Sequence, residues 1–385
     1  MRIAFLCSSL APGRNGVGDY TRFLSAELGR QGHPCLAIGL SDTETVLEEG
    51  GTPVVRLDAD RPWGERLVQA RAALAGFAPD WVSLQFVAYA WHPRGYALGL
   101  AERLAPLFGK RRRHLMFHEL WVGLNRHDRL VNRLHGIVQR RAILALHRGL
   151  CPQVVHTQTP VYVTTLAAEG ITARRLPLFG NLPVAPGDRC TEQCRLLAEH
   201  VPQLNLTPEQ VVFAGWFGTV HPEWDGREVI DRVSTASRAA GKHLVLLALG
   251  RTGAGGTALI ANLQRHPVPE CTLLDAGQTA PAEASRLLGA LDFALTANPL
   301  ALGPKSGTVA ACLDHGLPVL VSRNNWQPRG AIIVPASDET GVVCSPAGSA
   351  IDLAALLALR RQPEARLPAV ARQFAADLGA VDCGP

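Results

Sequence analysis

At 385 residues the chain is too long for one ordinary hydrophobic core and fits two domains of ordinary size. Hydrophobic residues at 47% and charged residues at 18% exclude a disordered chain, and no apolar run reaches the roughly 20 residues of a membrane-spanning helix. The formal net charge is a modest +5, and arginines gather in one segment, 110–148.

The opening MRIAFLCSSLA sets Arg2 before a short apolar run. A glycine loop and an amphipathic pattern follow directly, so the run reads as a first strand, Arg2–Cys7, and not as a secretory leader. The loop Ser8–Gly18 carries Gly13, Gly16 and Gly18. The helix Asp19–Arg30 follows, with Asp19 expected as its N-cap and Tyr20, Phe23, Leu24 and Leu28 on one face. Glycines there let a ligand approach the backbone and leave the helix start open to an anion. A tight turn without a ligand is the lesser alternative. The spacing is not the GxGxxG dinucleotide fingerprint.

Strands are then expected at Cys35–Leu40, Val54–Leu57, Trp81–Phe86, Arg113–Phe117, Val154–His156 and Leu176–Phe179. Helices are expected at Gly64–Ala75, Gly95–Phe108, Arg129–Leu146 and Tyr162–Ala168. This alternation implies a parallel sheet covered by helices. Polar residues stand at strand ends: Gln85 with His92 beyond it, His118-Glu119, and His156-Thr157. Ligands of parallel sheets bind at such ends, although a lone histidine is more often structural.

The segment 110–148 holds ten basic residues, among them Arg129, Arg133, Arg140 and Arg141, against Glu119 and Asp128. Its helix also carries Leu130, Leu134, Ile137, Val138 and Ile143. A solvated face is the ordinary explanation, and docking on anionic lipid or a phosphorylated acceptor is the alternative. No interleaved aromatic residues favour nucleic acid. The stretch FGNLPVAPGD, from Phe179, breaks the periodic pattern and reads as an interdomain linker.

The second half repeats the design. Strands are expected at Val211–Trp216, Leu244–Leu249, Cys271–Leu274, Phe293–Ala297, Val319–Val321, Ile332–Val334 and Gly341–Val343. Helices are expected at Arg227–Ala239, Thr257–Gln264, Ala282–Gly289, Ala350–Arg360 and Leu367–Leu378. Between Asn298 and Ser322 the chain reads strand end, loop, helix, turn and strand. Ser306 or Thr308 is the expected cap and Gly316 the stop. Lys305 and the helix start suit a phosphate, against the plainer reading of a solvated lysine. The nine cysteines form no paired framework. Cys190 and Cys194 lack further ligands for a metal, and the pattern fits a reducing cytoplasm.

These motifs carry a resemblance that covers nearly the whole chain. IAFLCSSLAPGRNGVGDYTRFLSAELGRQGH, FHELW, ALGRTG, LLDAGQ and LTANP…GTVAACLDHGLPVLV are similar to the GT-B glycosyltransferases, closest to the retaining enzymes of glycosyltransferase family 4. The resemblance implies two doubly wound Rossmann-like domains facing across a cleft, 1–183 on the acceptor side and 184–365 on the donor side. It also implies a tail, 366–385, returning to the first domain.

By position, it implies Gly16 at the phosphates or donor sugar and His118 at the sugar, with Asn15, Gln85 and His92 on the acceptor side. Gly250, Arg251 and Gly277 would lie beside the nucleoside. Lys305, Ser306, Gly307 and Thr308 would hold the diphosphate, with His118 and Lys305 as the catalytic pair. The co-substrate would be a nucleotide sugar, the acceptor a sugar, a lipid-linked sugar or another small molecule, and no metal would be needed. A cytoplasmic enzyme, peripheral on the inner face of an anionic membrane, fits this class.

Two glutamates that the family carries eight positions apart are replaced here by Gly303 and Ala311, and its basic pair after the first donor-domain strand is missing. A degenerate sugar-nucleotide-binding protein and a sugar-nucleotide epimerase are the alternatives.

Overall fold

The structure, a computed structural model, describes residues 1–48, 51–330 and 340–383. The chain divides into two compact units. Unit 1 contains Met1–Leu178, residues 327–330 and the chain from Leu367; unit 2 contains Phe179–Trp326 and residues 340–366. The divide falls at Leu178, a few residues ahead of the expected boundary at Pro183.

In unit 1 the strands and helices alternate as β1 (Ile3–Cys7), α1 (Gly16–Arg30), β2 (Cys35–Asp42), β3 (Val46–Glu48), β4 (Val54–Asp58), α2 (Trp63–Phe77) and β5 (Trp81–Phe86). They continue as α3 (Leu100–Phe108), β6 (Arg112–Phe117), α4 (Leu130–Leu150), β7 (Val154–Thr157), α5 (Pro160–Ala167) and β8 (Arg174–Arg175). The sheet order is β3-β4-β2-β1-β5-β6-β7-β8, parallel apart from the antiparallel edge strand β3. β1 and β5 are fully buried along their length, as strands covered on both faces must be.

Unit 2 runs α6 (Arg189–His200), β9 (Val211–Phe217), α7 (Gly226–Ala239), β10 (His243–Leu249), α8 (Gly253–Arg265), β11 (Cys271–Gly277) and α9 (Pro281–Ala290). It ends β12 (Phe293–Thr296), α10 (Gly307–Asp314), β13 (Val319–Val321), β14 (Val342–Cys344) and α11 (Leu353–Ala358). Its sheet, β11-β10-β9-β12-β13-β14, is parallel, with one apolar cluster on each face. The last helix, α12 (Leu367–Gly379), belongs to unit 1, where it buries Val370, Phe374 and Leu378; Phe374 stacks on Phe5 at 5.7 Å.

Several expectations shift for local reasons. α1 begins at Gly16 and is capped by Asn15, whose side chain accepts from Gly18 N; Asp19 instead accepts from Gly13 N and ties the loop. α3 begins at Leu100, not Gly95, because Gly95 and Gly99 adopt φ of +70°, outside helical space. The run Leu176–Phe179 forms no strand, and the short pairing with β7 falls on Arg174–Arg175. α6 replaces what reads as irregular chain, capped by Asp188, and Cys190 and Cys194 lie exposed along it. The expected strand Ile332–Val334 lies outside the described residues.

Candidate functional site

In a doubly wound sheet, the crevice opens where the winding reverses, at the carboxyl ends of two strands whose connections diverge. Unit 2 reverses between β9 and β12, so the loops after those strands border the crevice. Three loops pack together there. Gly218, just past β9, donates its N–H to Leu249 O at 2.8 Å, and Gly250 donates to Gly277 O at 2.6 Å. Gly218 and Gly250 hold φ of +81° and +82°. A Cβ on Gly218 would lie 2.6 Å from Thr308 Cγ2, which seats the first loop directly on the start of α10.

After β12, Asn298 turns the chain. Its side-chain amide donates to Thr296 Oγ1 at 3.1 Å and to Ser306 Oγ at 3.0 Å. Ser306 caps α10 and sits 2.9 Å from Thr308 Oγ1. Lys305 closes the 3-10 turn Leu300–Lys305 immediately before this cap, half-buried. Neither Gly307 nor Gly277 has any atom within 4 Å of a built Cβ, so open space adjoins both backbones. Arg251 is exposed, and its carbonyl accepts from Thr219 Oγ1 at 3.3 Å. The structure therefore brings Gly250, Gly277 and Thr308 to one end of the unit 2 sheet, with Lys305, Ser306 and Gly307 adjoining. Sequence reasoning missed Gly218, although a glycine directly after an apolar strand is a visible signal.

The two positions at which the resemblance places glutamates differ from each other. Gly303 has no atom within 4 Å of a built Cβ. Ala311 is fully buried in the core, and Gly180 lies over it so closely that a Cβ there would sit 2.8 Å from Ala311 Cα. Asp314, buried one turn on, accepts from Gly180 N at 3.0 Å and pairs with Arg366 Nε at 2.5 Å. A glutamate at 311 would meet backbone, not solvent.

Unit 1 reverses between β1 and β5. The loop after β1 is held by Asp42, a residue that sequence reasoning also missed. Asp42 accepts from Leu10 N at 2.8 Å and from Ser9 Oγ at 3.1 Å, and it pairs with buried Arg56 at 3.1 Å. Burial alone would raise its carboxyl, but Arg56 and the N–H groups of Leu10 and Thr43 outweigh that and hold it below the ordinary value. Gly16 is exposed, with open space where a Cβ would go, whereas Gly18 is packed 2.6 Å from Ser9 O. Asn15 spends its side-chain oxygen on the cap.

Gln85 and His118 lie at adjacent strand ends but are buried, His118 being 5% exposed. They begin a chain of hydrogen bonds. Asp377, ionised beside Arg174, can only accept, and it does so from His156 Nε2 at 3.0 Å. With His156 Nδ1 as the acceptor, every later donor follows. His114 Nε2–H donates to His156 Nδ1 at 3.0 Å, and Ser83 donates to His114 Nδ1 at 2.7 Å. Gln85 donates to Ser83 at 2.7 Å, His118 Nε2–H donates to Gln85 Oε1 at 2.9 Å, and Gln158 donates to His118 Nδ1 at 3.1 Å. Burial lowers the His118 imidazolium to about 3, so the ring is neutral, and both of its nitrogens have protein partners. His92 stands apart from this chain; its Nδ1 accepts from Arg94 N and Tyr96 N.

On the surface of the same unit, α4 exposes Leu130, Val131, Leu134 and Ile137 by 67, 53, 57 and 47%, beside exposed Arg129 and Arg141. Arg140 pairs with Glu169, and Arg133 donates to Asp128 O. No described helix is long and apolar enough to cross a membrane. Among the described residues, no group of three or more His, Cys, Asp or Glu side chains could hold a metal ion.

No family model and no curated protein sequence matches the chain. Solved structures do match. HepE (Alr3699) from Anabaena in complex with UDP matches at a TM-score of 0.58 and 14% identity, over 99% of this chain and 100% of that one. The catalytic domain of Starch Synthase IV from Arabidopsis thaliana, bound to ADP and acarbose, matches at 0.58 and 13%, over 99% of each chain. The lipopolysaccharide outer core galactosyltransferase WaaB matches at 0.53 and 12%, again over 99% of each. Identities this low establish the fold, which is GT-B: two Rossmann-like parallel-sheet units.

Proposed function

We propose that the protein is a glycosyltransferase that moves a sugar from a nucleotide-sugar donor to a small acceptor with retention at the sugar carbon. The observation that carries this reading is the loop cluster of unit 2. Gly218, Gly250 and Gly277 pack at the carboxyl ends of neighbouring strands, beside the capped start of α10 and next to Lys305. Solved structures of the same fold support it, HepE with UDP and Starch Synthase IV with ADP.

In this reading Gly250, Arg251 and Gly277 adjoin the nucleoside, and Lys305, Ser306, Gly307 and Thr308 hold the diphosphate. The chemistry asks little of side-chain acids or bases. As the sugar–phosphate bond breaks, charge grows on the departing diphosphate, where the N–H groups of α10 and the Lys305 ammonium stabilise it. The acceptor hydroxyl enters on the same face and gives its proton to that diphosphate. Gly16 lines the approach in unit 1, and Asn15, Gln85 and His92 mark its acceptor side. His118, neutral and held from both nitrogens, would act as a fixed wall against the sugar and not as a proton carrier.

Titration with a panel of nucleoside diphosphates, followed by turnover of the matching nucleotide sugars with and without acceptor, tests the proposal. Transfer to an acceptor is the expected result, and absence of binding to every diphosphate overturns it. A second reading, binding without turnover, is favoured by buried Ala311 in place of a glutamate. Tight donor binding with no transfer would select it.

A further inference from the structure

At the opposite end of α10, unit 2 contains a cavity of about 830 Å³ that the donor reading leaves unused. Its wall joins the start of α6, the middle of α9, the end of α10 at His315 and the segment after α11. Arg189, Arg286, Arg360 and Arg361 all face it, against Asp188 and Glu192.

The acids of the region are already engaged. Asp188 caps α6 through Thr191, and Glu192 pairs with Arg195. Arg189 pairs with Asp292 at 2.8 Å, and Arg286 pairs with Glu283. Arg360 and Arg361 have no carboxylate partner among the described residues. Arg360 donates to His315 O at 3.0 Å and Gly289 O at 2.8 Å, while its Nε is buried without a partner. Burial first, and then the nearby Arg189 charge, push its guanidinium down to about 10, against a smaller opposing pull from Asp292. Arg361 makes one side-chain bond, to Thr340 Oγ1 at 3.1 Å.

A chain of hydrogen bonds frames these arginines. Ala185 N donates to Ser285 Oγ at 2.7 Å, Ser285 Oγ is hydrogen-bonded to His315 Nε2 at 2.8 Å, and His315 Nδ1–H donates to Ala311 O at 2.7 Å. Burial holds the His315 imidazolium below its ordinary value. The Arg361 carbonyl lies where a Cβ on Gly316 would come within 2.2 Å, so the arginine pair is seated directly on the turn that ends α10.

We propose that this cavity is a second anion site, taking a small phosphate monoester between Arg360, Arg361 and the half-exposed Arg189 and Arg286. Planar guanidinium forks suit phosphate oxygens, and the volume lies within the range of small-molecule sites, above what a lone inorganic ion would fill. The eight residues of α10 span ~12 Å, so this ligand would bear on the far end of the helix whose start is proposed to hold the diphosphate.

Calorimetric titration of the full chain with ribose 5-phosphate, ribose and inorganic phosphate tests the proposal, each alone and with saturating UDP. The expected result is one ribose 5-phosphate per chain with or without UDP, weaker inorganic phosphate and no ribose. Arg361→Glu should weaken ribose 5-phosphate by about tenfold or more with an unchanged melting temperature. Arg360→Lys should weaken it as well, and Lys305→Ala should leave it unchanged. Absence of ribose 5-phosphate binding, equal binding by Arg361→Glu, or displacement by UDP would each overturn it. Binding of ribose 5-phosphate by a protein that ignores every nucleoside diphosphate would keep this site and remove the donor reading.

Discussion

His114 Nε2 lies 3.0 Å from His156 Nδ1 inside the unit 1 sheet, and the bond leaves no room for both rings to carry an extra proton. Burial, then the neighbouring His156 and His118, hold the His114 imidazolium well below its ordinary value of 6.5, and burial holds His118 down at about 3. The unfolded chain takes up these protons through pH 6.5, whereas the folded chain refuses them. Stability from both groups is therefore full above that value and is lost as pH falls toward the folded values. Each contributes a slope approaching ~1.4 kcal/mol per pH unit. Urea unfolding should give equal midpoints at pH 7.5 and 8 and a clearly lower one at pH 5. A midpoint that does not move between pH 7 and 5 refutes a neutral His114 and His118.

Lys305→Ala should weaken nucleoside-diphosphate binding by about 1.5–3 kcal/mol, the range of a charge-assisted hydrogen bond. Lys305→Arg should recover only part, because a fork occupies different space from a point charge. Calorimetry with UDP and ADP checks this, and equal affinities for wild type and Lys305→Ala would remove the lysine from the site.

Glutamate should be accepted at only one of the two positions where the resemblance places it. Gly303→Glu has open space and should fold with little change in melting temperature. Ala311→Glu would bury a carboxylate beneath Gly180 and beside Asp314, and should cost several kcal/mol, on the order of 3–5. Denaturant melts of the two variants decide it; a well-folded Ala311→Glu would show that the helix face is misassigned.

Gly218→Ala should destabilise unit 2 in two parts. Its φ of +81° costs about 1–2 kcal/mol for any side chain, and its Cβ meets the Thr308 methyl at 2.6 Å. Thr308→Ser removes that methyl, so the double variant should recover the steric part, a coupling of roughly 0.5–3 kcal/mol. Strict additivity would mean that the loop and α10 do not touch.

The exposed stripe Leu130, Val131, Leu134 and Ile137 beside Arg129 and Arg141 should attach weakly to anionic vesicles and release at high salt. Flotation with Leu134→Ser and Ile137→Ser should show reduced recovery. Equal recovery with neutral and anionic lipids at low salt counts against a membrane role.

Strand–helix alternation was legible because its signals are local. Apolar runs bounded by glycine, such as Leu244–Leu249 before Gly250, fix a strand and its loop without help from distant chain. Helix starts were less legible. Nothing near Asn15 reveals that it outcompetes Asp19 as a cap until Ser9 O is seen packed against Gly18. The helix α6 stayed hidden behind a proline- and glycine-rich approach, because its buried Leu196 and Leu197 are few and only packing against the rest of unit 2 gives them meaning.

The sequence by itself determined the two-sheet plan, the glycine loops and the position of Lys305 before α10, since these depend on period, turn chemistry and neighbours along the chain. Tertiary structure alone decided which polar residues meet. Gln85 and Ser83 join His114 and His156, and His156 in turn meets Asp377, 221 positions further along the chain. Gly180 comes to lie over Ala311, and Arg360 comes to line a cavity with backbone carbonyls as its hydrogen-bond partners. Hydrogen bonds and charge pairs depend on distances of a few ångströms between remote segments, and no local pattern encodes those distances.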